Sequence, residues 1–168
     1  MASFFDSENL ESIKAQHQQA ADAERARELS KEERRQAAQS QRDRFLPIAS
    51  RAIRDFPAAA QQVGLPLKRI TVNTIGIPHG VQVWELFTYI EGGGASWTYY
   101  VTKSGAVYED FNSYNMFKHS SVAKAADGLY RSLSKSSGTK IPDLIEEPLE
   151  DAIARRLKSA LAGHPSIW

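Results

Sequence analysis

Cysteine is absent from this chain of 168 residues. Disulfides, thiolate nucleophiles and zinc sites built on sulfur are excluded together. The four histidines are scattered along the chain, so neither a metal nor a cofactor is expected. No apolar run reaches the ~18 residues of a membrane span. The opening Met-Ala-Ser-Phe-Phe-Asp has no basic segment followed by an apolar core, and a cytoplasmic protein without membrane attachment is the expectation. An excess of either charge is also missing: 21 Lys and Arg stand against 20 Asp and Glu, which gives no overall pull toward polyanions. Gly-x-Ser-x-Gly, His-Glu-x-x-His and a phosphate loop ending in Gly-Lys-Ser/Thr do not occur, which removes several common catalytic constellations.

Aromatic residues are missing from positions 6–44 and dense in 81–117. Aromatic and β-branched side chains fit a pleated, half-buried surface, whereas the Ala, Gln, Glu and Arg of the first segment favour helix. The division expected is a helical arm over 1–44 and an α+β domain over 45–168.

Within the arm, no Gly or Pro interrupts the sequence from Leu10 until Pro47, and Asp6 or Ser7 can cap its start. Its apolar residues are too sparse for a continuous stripe. The pairs Asp22/Arg25, Glu24/Arg27, Glu28/Lys31 and Glu32/Arg35 support a solvated helix by roughly 0.2–0.5 kcal/mol each. Ser30-Lys31-Glu32-Glu33 has the form of a capping box, which allows a break there.

An amphipathic helix begins at Phe45, where Ile48, Ala49, Ala52, Ile53 and Phe56 recur at three- and four-residue steps. Strand candidates follow at 68–75, 81–91, 96–103 and 106–112. The segment Ile75–Gly80 and the triple glycine 92–94 read as turns. In 81–91, strict alternation sends Val83, Phe87 and Tyr89 to one side and Trp84, Leu86 and Ile90 to the other. Both faces of that strand therefore need covers, most of which the three amphipathic helices can supply. Two C-terminal helices close the chain, one capped by Ser120 or Ser121, the other opened by Pro148 and ended by Gly163. The fold class expected is α+β: a helical arm, an amphipathic helix, an antiparallel sheet of three or four strands and two C-terminal helices.

Three functional classes follow. The first is a non-enzymatic adaptor that engages another protein or a second copy of itself through an aromatic surface, with Trp84, Phe87, Tyr89, Trp97, Tyr99, Tyr100 and Trp168 as interaction candidates. The alternative is a nucleic-acid-binding module using Arg34, Arg35, Arg42, Arg44, Arg51 and Arg54. The order helix, three strands, helix across 45–135 resembles that of a double-stranded-RNA-binding domain. Ser120 and Ser121 stand where that family carries paired lysines, however, and an extra strand intervenes. The third class is a small-molecule enzyme with a cleft near His79, in which His119 and the carboxylates Glu85, Glu109 and Asp110 would converge. Adjacent Glu109 and Asp110 point to opposite faces of a strand, which weighs against that convergence.

Overall fold

From its first described residue the chain is helical, as expected where neither Gly nor Pro intervenes. Helix α1 spans Ser7–Gln62 in the computed structural model, which describes residues 7–74, 77–111, 116–136 and 148–167. The arm and the amphipathic helix are therefore one element, which corrects the expectation of two, and the break near Ser30 does not form. Pro47 and Pro57 lie inside the helix. Each removes one N–H from the backbone ladder, a loss offset by burial of Phe45, Ala49, Ile53, Phe56 and Ala60 at about 1.5–3 kcal/mol for each large side chain.

Two compact units emerge, Met1–Ser40 and Gln41–Trp168. In the first, helix residues 13–40 bury no side chain, and Leu29 is exposed. Three of the expected pairs form, Asp22–Arg25 at 3.7 Å, Glu28–Lys31 at 3.5 Å and Glu32–Arg35 at 4.0 Å.

In the second unit, strands β1 (Lys68–Thr74), β2 (Ile77–Ile90), β3 (Ser96–Val101), β4 (Val107–Phe111) and β5 (Met116–Ser120) form an antiparallel sheet in sequence order. The sheet has five such strands rather than three or four. The additional one is β5, a short edge strand whose Met-Phe-Lys-His-Ser sequence carries no β-branched residue and is held by pairing with β4. A sixth, two-residue strand, β6 (Ser166–Ile167), lies parallel to β2 at Phe87 and Thr88. At the β2–β3 hairpin, Gly93 and Gly94 adopt φ of 108° and 87°, a backbone region closed to most side chains. Helices α2 (Val122–Ser136) and α3 (Leu149–Leu161) complete the unit. Ser121 caps α2 by accepting from the Lys124 N–H at 3.1 Å.

β2 belongs to two pairings. Residues 77–83 pair with β1, and residues 84–90 with β3. Ile77–Gly80, expected as a turn, is already strand, since Thr74 pairs with Ile77. Between Glu85 and Phe87 the register shifts, as in a β-bulge, and one extra residue reverses the phase of everything beyond it. Trp84, Leu86 and Phe87 consequently share one core with α1, α2 and α3, while Ile90 is exposed. Strict alternation had separated Phe87 from Trp84.

The opposite face is closed differently from the expectation. Ile70, Val72 and Val83 form a second core, against which Tyr100, Tyr108 and Phe117 pack. The terminal strands of the path, β1 and β5, come into contact. The sheet curls over this face, so its cover is the β1–β2 hairpin and not a helix.

Candidate functional site

The site begins with a glycine in a helix. Gly128 of α2 faces Tyr99 of β3 so closely that an added Cβ would lie 2.6 Å from the ring's Cε2 and hydroxyl oxygen. Such a glycine costs about 1 kcal/mol of helix propensity against alanine, and here it lets α2 settle onto the sheet. Beside this contact a cavity of about 160 Å³ opens, lined by Tyr89, Trp97, Tyr99, Glu109, Lys124, Asp127, Gly128 and Arg131.

Backbone period explains why these residues meet. Tyr99 and Glu109 are paired directly across β3 and β4, so their side chains share a face. That face is the one toward α2, since Glu109 bonds a helix residue. On α2, Lys124, Asp127, Gly128 and Arg131 recur at helical spacing along one side. Tyr89 stacks on Trp97 with centroids 5.4 Å apart and planes at 21°, and Trp97 meets Phe111 at 5.0 Å.

The charges are ordered by depth. Glu109 has a side chain only 6% exposed, and its Oε1 accepts from Lys124 Nζ at 2.8 Å, where Lys124 is 57% exposed. Its Oε2 is buried with no hydrogen-bond partner among the described residues. Leaving such an oxygen unmet costs about 1–3 kcal/mol or more. Asp127, 18% exposed, accepts from Arg42 Nη2 at 2.8 Å and Nε at 3.1 Å, and from Arg131 Nη2 at 3.0 Å. Burial, then the charge of the adjacent Glu109 carboxylate and the facing of the Tyr99 O–H toward it, push the Tyr99 hydroxyl well above the ordinary phenol range. Tyr99 is accordingly a neutral hydrogen-bonding group at any ordinary pH.

On the other sheet face, Asp110 Oδ1 is buried without a partner among the described residues, and burial raises the Asp110 pKa. Glu109 and Asp110 thus do face opposite ways. Tyr100, also on that face, is pushed up to about 12 by burial and by Glu85 and Asp110. Thr88 and Thr98 hydroxyls meet at 2.9 Å, and Lys68 pairs with Glu85.

Of the aromatic interaction candidates, Trp84, Phe87, Tyr89 and Tyr99 are buried, whereas Trp97 and Tyr100 are half-buried. Trp84 donates its indole N–H to the Leu65 carbonyl at 2.9 Å. Trp168 lies outside the described residues. Only Tyr89, Trp97 and Tyr99 come together at the cavity. Among the arginines, Arg42 is tied to Asp127, Arg51 lies 3.5 Å from Glu150, Arg34 donates to Ser30 Oγ at 2.9 Å and Arg35 pairs with Glu32. Arg44 and Arg54 are exposed. His79 is exposed on the β1–β2 hairpin, and His119 stands edge-on to Tyr108 at 5.3 Å. Neither lines the cavity.

Lys124, Asp127 and Arg131 escaped the reading of the sequence, although their spacing and the mid-helix Gly128 were signals of a polar line facing a close neighbour. Among the described residues, no three side chains of His, Asp or Glu converge as metal ligands, and no helix is long and apolar enough to cross a membrane. Compared with known proteins, the chain matches no family model, no curated protein and no solved structure.

Proposed function

We propose that the protein is a non-enzymatic binding protein whose α+β domain receives a hydrogen-bond-donating group in the cavity between α2 and β3–β4. The observation that carries this reading is Glu109: a carboxylate oxygen buried without a partner, in a side chain that lines the cavity. The χ3 torsion of glutamate is soft, so the carboxylate can turn toward an entering donor at little cost. Binding without turnover fits a lining in which each carboxylate already holds a cation.

The adaptor role belongs to the same proposal, as does a cytoplasmic setting. Its support is the arm, a helix that buries none of its side chains over 13–40 and leaves Leu29 in water. A segment of this kind can gain its packing from a partner protein or a second copy.

Amide and indole correlation spectra of the full chain, recorded with a panel of small polar molecules, test the pocket reading. Selective shifts at Gly128 and the Trp97 indole, lost in Glu109→Gln, are the expected result. A panel that leaves both signals unmoved overturns it.

A further inference from the structure

Resting on the reading of this cavity as a ligand site, we propose that its ligand is a small zwitterion, an α-amino acid held with its ammonium group at depth and its carboxylate at the mouth. Three observations point to that class. First, the negative charge is inside and the positive charge outside: Glu109 and Asp127 have side chains 6% and 18% exposed, Lys124 and Arg131 57% and 62%. Each cation also has donors to spare, because an ammonium carries three and a guanidinium five, and Lys124 gives one to Glu109 while Arg131 gives one to Asp127.

Second, the walls are aromatic. Trp97 lies half-buried between Tyr89 and Phe111, with ring centroids 5.4 and 5.0 Å away, and gives the ligand's side chain an apolar wall. Glu109 Oε2, buried without a hydrogen-bond partner among the described residues, supplies the acceptor for an ammonium once the soft χ3 torsion turns the carboxylate toward the cavity. Third, the volume of about 160 Å³ equals the liquid share of roughly five waters. That suits an amino acid of modest side chain and is too small to enclose a nucleotide.

Rival chemistries each leave part of the site unmatched. A monosaccharide uses the rings and the acceptor but gives Lys124 and Arg131 no counter-charge. An inorganic anion satisfies those two and brings nothing to Glu109 Oε2.

The test is calorimetric titration of the full chain with L-valine, L-valinamide, isovalerate and glucose, alongside the amide spectra. L-valine is expected to bind and to shift Gly128. Isovalerate, lacking the ammonium, and L-valinamide, lacking the carboxylate, are expected to bind at least about tenfold more weakly, a difference of about 1.4 kcal/mol. Glu109→Gln should weaken L-valine and L-valinamide while sparing isovalerate, and Arg131→Gln should weaken L-valine and isovalerate while sparing L-valinamide. If Glu109→Gln does not fold, the comparison of the four compounds on the unaltered chain decides.

Isovalerate binding as tightly as L-valine, or glucose binding where L-valine does not, overturns the zwitterion and keeps the cavity as a ligand site. Failure of all four, together with a silent panel of small polar molecules, overturns both.

Discussion

Gly128 and Tyr99 touch because residue 128 has no side chain: a Cβ on Gly128 would stand 2.6 Å from the tyrosine hydroxyl oxygen. Helix propensity alone favours alanine there by about 1 kcal/mol, but forcing a methyl into a filled contact costs about 1–3 kcal/mol. Gly128→Ala is therefore expected to lower stability, or at best leave it level. Urea denaturation measures it, and a clear gain in the midpoint would show that Tyr99 yields easily.

Asp127 gathers Arg42 and Arg131. Hydrogen bonds to charged groups contribute about 1.5–3 kcal/mol, whereas a largely exposed pair contributes about 0–1 kcal/mol. Asp127→Asn is expected to cost clearly more than Arg131→Gln, since the second leaves the Arg42 contact in place. Comparable losses in thermal denaturation would assign the cost to the exposed bond.

Asp110 gives a pH signature. Burial raises its pKa, so the folded state keeps a proton that the unfolded state releases, and stability falls as pH rises through that window. Asp110→Asn is expected to stabilise the protein at neutral pH, with the gain fading as pH drops below the ordinary carboxylate value, where both states are protonated. A gain that does not change with pH would point to packing instead of charge.

The tyrosines act at the alkaline end by the same sign. Tyr100 is held at about 12 and Tyr99 higher, while an unfolded tyrosine loses its proton near 10. Stability should decline from about pH 10 upward, and Tyr100→Phe should flatten that decline. Tyrosinate absorbance should show both hydroxyls ionising later than an ordinary tyrosine, Tyr100 near pH 12.

Limited trypsin digestion should strike the arm first, at Arg25, Arg27, Lys31, Arg34 or Arg35, all exposed on the stretch 13–40 of α1 that buries no side chain. A resistant fragment beginning near residue 41 is the expected product. Prompt cutting inside β2–β4 would contradict the division into units 1–40 and 41–168.

The sequence by itself determined the elements whose signals are local. The helical spacing of Phe45, Ala49, Ile53 and Phe56 marked a core face, Ser121 marked the cap of α2, and the glycines at 92–94 marked a hairpin. The α+β class follows from these, because each depends on residues within a few positions of one another. Tertiary structure alone decided the rest. The shift between Glu85 and Phe87 arises where β2 exchanges one partner strand for another, and it moves Phe87 to the helix side against its own alternation. β5 is a strand through its pairing with β4, with no strong preference of its own. The second face is closed by the curl of the sheet, a property of several strands together. The cavity joins Tyr99 and Glu109, neighbours across a ladder, to Lys124 and Asp127 on a helix packed over them, and no spacing along the chain encodes the distance between a sheet and the helix that covers it.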